Sequence, residues 1–426
     1  MPRVLLLTAT TSYRTDDFVR AGGRLGVEVV IGTDRCHVLA DEWPREAFGS
    51  LQVELRDADA AVAAIVAEGR ARTLDAIVPT DDQTAVVAAR AQAALGLAGN
   101  SPEATYAARN KESLRRALDA AGVPQPAWRV FDRDASTERI ADSLRFPVVI
   151  KPLLLSMSRG VMRADDRAGF AAAWRRLGAL LDTPALRAVE DPAGRRVLVE
   201  EFVPGAEVAV EGLLRDGRLT VLAIFDKPDP LDGPFFEETL YVTPSRHPSG
   251  AQSALLDATA HAAAALGLRE GPIHAELRLA PSGPRVIEVA ARSIGGLCAR
   301  TLRLGLGGAS LEELVLRHAL AMDLRAQLDG AGVQVARGAS GVLMLPTPRA
   351  GVLQAVRGVE AARAVPLVED VAITARPGEV LTPLPEGASY PGFVFARGDE
   401  PAAVEAALRD AGRAIEFAIA PTLPRT

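Results

Sequence analysis

Two glutamates in a segment that turns back on itself are the residues here best suited to hold a hard cation. They lie in Gly271-Pro272-Ile273-His274-Ala275-Glu276-Leu277-Arg278-Leu279-Ala280 and, after a turn, Arg285-Val286-Ile287-Glu288-Val289-Ala290-Ala291-Arg292. A three-residue loop, Pro281-Ser282-Gly283, puts glycine where a left-handed residue is wanted. A hairpin centred on Ser282 sets Glu276 opposite Glu288, with Cβ atoms about 4.5–5.5 Å apart. Like charges so opposed destabilise a sheet, and Mg²⁺, which takes one or two carboxylates plus phosphate oxygens, would relieve the conflict. A register slipped by one, or a solvent-exposed strand face, would leave the pair without a role, and spacing alone does not separate these readings. Strand parity puts His274 on the face of Glu276, and Arg292 on that of Glu288 if the strand runs that far. An arginine there could hold a carboxylate substrate or a transferring phosphoryl group. A lone histidine is more often structural than chemical, so His274 stays open between the two.

Lysine is scarce: Lys111, Lys151 and Lys227 are the only three among 48 basic residues. Where arginine serves nearly every general need for charge, a retained lysine points to its compact ammonium, which suits phosphate in a tight pocket. Lys151 closes the apolar run Pro147-Val148-Val149-Ile150-Lys151-Pro152, which reads as a buried strand. The loop after it holds Ser156, Ser158, Arg159 and Gly160, groups able to wrap a polyphosphate through backbone N–H donors, with a plain hairpin loop as the alternative until Lys151 is counted. Lys111 stands at the mouth of a helix, and Lys227 lies in Phe225-Asp226-Lys227-Pro228. Farther on, Glu200-Glu201-Phe202-Val203-Pro204-Gly205-Ala206-Glu207 reads as a strand ending in a hinge. Such a hinge exposes backbone to a flat heterocycle, and a carboxylate a few residues on can accept both hydroxyls of a ribose, with a solvated strand edge as the plain alternative. Glu237 and Glu238, beyond Lys227, are candidates for recognising a cationic amine, with a solvated loop as the plain alternative. Gly295 and Gly296 leave any acceptor pocket open.

The elements that must position these groups divide the chain. Over the first hundred residues strands (Val4–Leu7, Val27–Ile31, Ala76–Val78) alternate with helices (Asp16–Leu25, Asp59–Glu68), which predicts a parallel sheet covered on both faces. Polar residues follow the strand ends, Thr8, Thr10, Thr11 and Ser12 after the first and Thr80, Asp81, Asp82 and Gln83 after the third, where ligands of such sheets collect. No GxGxxG follows the first strand, which argues against a hydride-transfer dinucleotide fold. Ser101-Pro102 starts a helix, and Lys111 to Ala121 forms another. Segment 182–196 reads as a surface loop, 226–250 as an ordered loop, and Glu207–Leu214 with Leu219–Phe225 as a hairpin. A net charge of −6 argues against a nucleic-acid partner, and no apolar run approaches membrane length. A cytoplasmic protein is expected. Cys36 and Cys298 are expected to be buried free thiols.

Taken in order, a helix-mouth lysine, a strand lysine with a small-residue loop, Glu-Glu-Phe-Val-Pro-Gly-x-Glu and two hairpin carboxylates resemble the ATP-grasp superfamily. His-Ala-Glu-Leu-Arg and Ile-Glu-Val-Ala-Ala-Arg are most similar to its carboxylate–amine ligases of the L-amino acid ligase group. The resemblance implies an α/β protein in three parts: a Rossmann-like domain over 1–100, a split ATP-grasp core over 101–335 with a small lid at about 127–203, and a C-terminal α+β lobe over 336–426. It implies ATP, with Mg²⁺ or Mn²⁺, as cofactors, and a small carboxylate and an amine as substrates, joined through an acyl phosphate with release of ADP and phosphate. Lys111, Lys151 and the loop Ser156–Gly160 would bind phosphates, Glu200, Glu201, Phe202 and Val203 the adenine, and Glu207 the ribose. Glu276 and Glu288 would carry the metal, Arg292 would face the acyl phosphate and Lys227 the γ-phosphate. Ala290 stands where many ATP-grasp enzymes have asparagine, which places more of the metal on the two glutamates. A biotin-carboxylase-like or purine-pathway enzyme, and a nucleotide-binding regulator without turnover, are the alternatives. A homodimer is left open.

Overall fold

The computed structural model describes residues 1–9, 12–34, 48–187, 191–305, 307–324, 328 and 338–422. Thr10, Thr11 and Cys36 lie outside the described residues.

Four short strands, β1 (Arg3–Leu7), β2 (Glu28–Thr33), β3 (Phe48–Gln52) and β4 (Ala76–Pro79), form a parallel sheet in the order β3-β2-β1-β4. The continuous apolar run of β1 is explained by burial on both faces. Val4 and Leu6 pack with Phe18 and Ala21 of helix Thr15–Leu25. Leu5 and Leu7 pack with Ile65 of helix Ala58–Ala71 and Val87 of helix Asp82–Leu95. Strand β3 and the helix Asp82–Leu95 were not legible beforehand. Part of the polar cluster after β4 starts that helix, since the Asp81 carboxylate accepts the Thr84 N–H at 3.0 Å as its N-cap.

The lid sheet has the order β5-β8-β6-β7, built from β5 (Trp128–Asp132), β6 (Val148–Pro152), β7 (Met162–Ala164) and β8 (Arg196–Glu201). Phe170, Trp174 and Leu177 of helix Arg167–Leu181 cover Val148, Ile150, Val197 and Val199 of this sheet. The segment 182–196, expected to be loop, holds helical turns at Pro184–Arg187 and Pro192–Arg195.

The remaining strands are β9 (Ala206–Arg215), β10 (Arg218–Asp226), β11 (Leu240–Thr243), β12 (Gly271–Ala280), β13 (Gly283–Ala290), β14 (Ala339–Leu345), β15 (Gly351–Arg357), β16 (Val368–Ile373), β17 (Val380–Leu381), β18 (Gly392–Gly398) and β19 (Glu416–Ala420). Eight of them make one sheet in the order β13-β12-β9-β10-β11-β14-β18-β16, and β17-β15-β19 form a small separate one. One expectation is corrected here. Segment 226–250 is not all loop, because β11 lies within it and pairs with β14 from Leu240↔Leu343 to Thr243↔Ser340. Through that pairing the core sheet continues past 336 into the C-terminal lobe.

Parity within β12 decides what the core sheet shows to each side. Ile273, Ala275 and Leu277 are fully buried and pack with Leu114, Leu118, Leu255 and Ala262 of helices Lys111–Ala120 and Ser249–Ala265. Burying a side chain the size of Leu255 or Leu277 contributes about 1.5–3 kcal/mol. His274, Glu276 and Arg278 point the other way, where the functional groups gather.

The hairpin reaches its expected pairing by a different route. Ala280 pairs with Gly283, so the turn is the two residues Pro281-Ser282. That register continues through Arg278↔Arg285 and Leu277↔Val286, and unbroken it would set Glu276 against Ile287. A bulge between Leu277 and Glu276 absorbs Ile287 as an extra residue and restores Glu276↔Glu288.

Candidate active site

One cleft lies between the lid and the core sheet, and both ends carry charge. At one end Lys111 opens the helix Lys111–Ala120, whose N-cap Asn110 accepts the N–H groups of Glu112 and Ser113. Its Nζ donates to Leu155 O at 2.8 Å and lies 3.4 Å from Glu288. Lys151 on β6 reaches Glu200 on β8 at 2.7 Å. Because Lys151 pairs with Leu198 and Val149 with Glu200, the two side chains are diagonal neighbours on one face. Arg115 donates to the other Glu200 oxygen. Burial pushes the Glu200 carboxyl up, but Arg115 and Lys151 outweigh that and hold it at about 2. Both lysines border the cleft, as do Ser156, Met157 and Ser158 of the loop between β6 and β7. Apolar surface from Val149, Phe202, Val203 and Ile287 offers a flat heterocycle its place.

The floor of the cleft is a set of cross-strand partners. His274↔Glu211 and Arg278↔Glu207 are directly opposed on β12 and β9, so each cation meets its carboxylate by register. His274 Nδ1 lies 2.6 Å from Glu211 and Nε2 3.3 Å from Glu276. Burial alone would lower the His274 pKa, but the hydrogen bonds to Glu211 and Glu276 lift it to about 9. The Glu276 carboxyl is raised by burial and lowered more by Lys227 and His274, leaving it well below the usual range.

Two carboxylate groupings have to be weighed as cation sites. Glu207, Glu238 and Glu276 bring ligand atoms within 4.8 Å of one another. That space already holds an ammonium, since Lys227 Nζ is 2.8 Å from Glu207, hydrogen-bonded to Glu238 and 3.4 Å from Glu276. Glu276 and Glu288 are the better fit for Mg²⁺. They face each other and supply hard oxygen donors at the cleft wall; Glu288 has Lys111 at 3.4 Å, and Glu276 has Lys227 at 3.4 Å and His274 at 3.3 Å.

At the far end Arg292 ion-pairs with Asp82 at 2.7 Å and donates to Ser293 O at 3.0 Å. Burial opposes its charge, and Asp82, then Glu288, reinforce it more strongly, so the guanidinium stays charged. Gly295, Gly296, Cys298, Met344, Tyr241 and Tyr390 surround this end.

Comparison with known families matches residues 19–99 to the ATP-grasp N-terminal domain, 144–301 to the ATP-grasp domain and 343–420 to the L-amino acid ligase C-terminal domain 2. The solved L-amino acid ligase from Bacillus licheniformis superposes with a TM-score of 0.81 at 25% identity, over 99% of each chain. The chain is an ATP-grasp carboxylate–amine ligase, most similar to the L-amino acid ligase group. Alanine–anticapsin ligase from Bacillus subtilis (strain 168) is 26% identical over 312 residues, 69% of this chain and 63% of that enzyme. The chain thus spans a little under two thirds of that relative's length. N5-carboxyaminoimidazole ribonucleotide synthetase from Thermotoga maritima superposes with a TM-score of 0.71 at 14% identity, a likeness of fold alone. This leaves the purine-pathway reading less favoured than amino acid ligation. Among the described residues of the ligase no helix is long and apolar enough to cross a membrane.

Within this ATP-grasp ligase, most residues singled out from the sequence border one cleft: Lys111, Lys151, Ser156, Ser158, Glu200, Glu201, Phe202, Val203, Glu207, Glu238, His274, Glu276, Glu288, Arg292, Gly295 and Gly296. Four do not. Lys227 is buried beneath the floor, its ammonium taken up by three carboxylates and the Tyr241 ring. Arg159 and Gly160 turn to the C-terminal lobe, where Arg159 Nε donates to Glu386 O at 2.9 Å and Gly160 N to Pro385 O at 2.8 Å. Glu237 lines a separate side cavity. Glu200 holds Lys151 and Arg115 with its two oxygens. The parity assigned to Arg292 also fails, because β13 stops at Ala290 and Arg292 is oriented by Asp82.

Arg278 and Arg115 were missed as site residues, and Asp82 was noted only for its place after the third strand. Arg278 donates to Glu207 at 2.9 Å and to Val203 O at 2.7 Å, binding the hinge to the floor. The signal for it was present, since 274, 276 and 278 share a strand face. Asp82 and Arg115 act over separations of 210 and 85 residues, and no local pattern announces such partners.

Proposed function

We propose that this ligase activates the carboxylate of an amino acid or similar small acid with ATP and passes the acyl group to an amine. A carboxylate oxygen attacks the γ-phosphorus, ADP leaves, and an acyl phosphate remains. The amine nitrogen then attacks the carbonyl carbon, phosphate departs, and an amide is formed.

The observation that carries this reading is the convergence of Lys111 and Lys151 with Glu276, Glu288 and Arg292 on one cleft. Lys111 and Lys151 bind phosphate oxygens, with Glu200 holding Lys151 in place. The hinge at Glu201–Val203 receives the adenine, and Glu207, already fixed by Arg278, has acceptor capacity left for ribose hydroxyls. Glu276 and Glu288 would hold Mg²⁺, which supplies charge neutralisation on the phosphate oxygens. Arg292 binds the substrate carboxylate and then the phosphoryl oxygens as charge builds. Ser156 to Ser158 border the cleft under a loop pinned to the C-terminal lobe, an arrangement that excludes water from the acyl phosphate.

The test is nucleotide release over pairs of amino acids with mass detection of products. ADP, phosphate and a dipeptide-like amide are expected. AMP with pyrophosphate would rule out the acyl-phosphate route, and slow hydrolysis with no amide from any pair would favour a regulator.

A further inference from the structure

Arg292 stands on a stretch of chain that the core sheet does not hold. Strand β13 ends at Ala290, and 291–295 is neither helix nor strand, so other contacts must set the direction of the guanidinium. One is the ion pair with Asp82, and another is its own bond to Ser293 O. Ser293 and Ile294 are in turn gripped from the N-terminal domain. Arg14 Nη1 donates to Ser293 Oγ at 2.5 Å and to Ile294 O at 3.0 Å. Its Nη2 lies 2.6 Å from Glu312 of helix Leu311–Ala319. Arg14, Ser293 and Glu312 are all buried.

Two features set Arg14 apart from an ordinary contact between domains. It is the N-cap of helix Thr15–Leu25 and makes no capping bond. That position favours a short side chain with an acceptor oxygen, which arginine lacks. A buried ion pair is also weak support for stability, since well-packed apolar residues often serve as well. Helix and core would both tolerate another residue here. Only a planar fork reaches Glu312 and two acceptors of the 293–294 segment at once. Asp82 and Arg14 stand at the starts of the helices that follow β4 and β1, the end of a parallel sheet where ligands usually collect. In this chain those positions grip a segment of the core. Resting on the ligase reading above, we infer that Arg14 is a positioning residue for the reaction. Backed by Glu312, it fixes Ser293 and Ile294, and through Ser293 it fixes the guanidinium of Arg292. The N-terminal domain thus holds Arg292 from two sides, through Asp82 directly and through Arg14 by way of the backbone.

Hydroxylamine converts an acyl phosphate to a hydroxamate with release of phosphate, so it reads carboxylate activation without knowledge of the natural amine. Wild-type protein is assayed with ATP, Mg²⁺ and hydroxylamine on the twenty common amino acids, and the acid giving most hydroxamate is carried forward. Arg14→Lys keeps the charge that faces Glu312 and loses the fork. It should lower kcat at least tenfold, with KM for ATP within twofold of wild type. In an Arg292→Ala background the same change should cost less than twofold, because the group it positions is gone, and such coupling distinguishes a shared network from independent effects. Ser293→Ala removes one acceptor of Arg14 and no charge, and at least a threefold loss in kcat is expected, again absent beside Arg292→Ala. Losses of equal size in the two backgrounds would make Arg14 a purely structural contact. A kcat within twofold of wild type in Arg14→Lys would remove the role altogether, and either result leaves the ligase reading standing. No hydroxamate from any acid with the wild type removes the ligase reading and the positioning role with it. If Arg14→Lys fails to fold, the Ser293→Ala comparison in the two backgrounds decides the matter by the same criteria.

Discussion

Glu200 is held between Arg115 and Lys151, with Lys151 Nζ at 2.7 Å from one carboxylate oxygen and Arg115 donating to the other. The same Arg115 donates to Val286 O at 3.1 Å and Ile287 O at 2.7 Å, beside the bulge that aligns Glu276 with Glu288. One buried carboxylate therefore joins the lid lysine to the geometry of the proposed metal site. Glu200→Gln leaves two buried cations short of a partner, and a loss of about 3–5 kcal/mol is expected. Chemical denaturation of the variant measures it. The pH sign follows from the depressed carboxyl. Its folded pKa is about 2 against an ordinary 4.5, so its stabilisation is complete above the ordinary value and is lost as pH falls toward 2. An acid-denaturation midpoint that does not change in the variant would contradict this.

Lys151 is expected to act as an ammonium and not merely as a charge. It is a buried strand residue with one carboxylate partner, and a guanidinium is broader and prefers bidentate contacts. Lys151→Arg should weaken ATP binding at least tenfold, as read by calorimetry with ATP and Mg²⁺. Affinity within twofold of wild type would refute the role and weaken the inference from lysine scarcity.

Glu288 should matter more to metal than to nucleotide. Glu288→Gln keeps the size of the side chain and removes one of two facing charges. The Mg²⁺ concentration for half-maximal turnover is expected to rise at least tenfold, with a smaller change in ATP affinity. Direct Mn²⁺ binding followed by electron paramagnetic resonance provides a readout independent of turnover. Unchanged Mn²⁺ affinity would mean that the metal lies elsewhere.

Arg292→Ala and Asp82→Asn should separate contact from orientation. Arg292 borders the cleft, whereas Asp82 holds it from the N-terminal domain at 2.7 Å. Removal of a cation aimed at developing charge typically costs about 10²–10³ in kcat, and Arg292→Ala is expected to fall in that range with ATP affinity nearly unchanged. Asp82→Asn should lose less, and mainly in KM for the carboxylate, because the guanidinium remains but is less well placed. Equal losses in the two variants would make Arg292 a structural residue of the domain boundary.

Much of the site was legible because its parts are local. A strand lysine followed by a small-residue loop, a hinge after an apolar strand and carboxylates on a hairpin are each written within about ten residues, and their order carried the family resemblance. The Glu276–Glu288 pairing was read correctly from a loop that the structure does not have. A two-residue turn and a one-residue bulge together displace the register as a three-residue loop would. Bulges are set by packing on both strand faces and by backbone neighbours such as Arg115, so the sequence of the hairpin alone contains no mark of one.

The fate of the three lysines divides what each level decided. By itself the sequence determined that only three lysines are present, that Lys151 lies on a buried strand and that Lys111 starts a helix, because hydrophobic runs and capping residues act over a few positions. Only the tertiary structure decided that Lys111 and Lys151 reach the cleft while Lys227 is enclosed by Glu207, Glu238 and Glu276. It also decided that the C-terminal lobe shares the core sheet, and that Asp82 from the first domain orients Arg292. Each of these depends on which buried charges meet across long stretches of chain. A buried ion is tolerated only where a partner arrives, and its partner is chosen by the packing of the whole domain and not by the neighbouring residues.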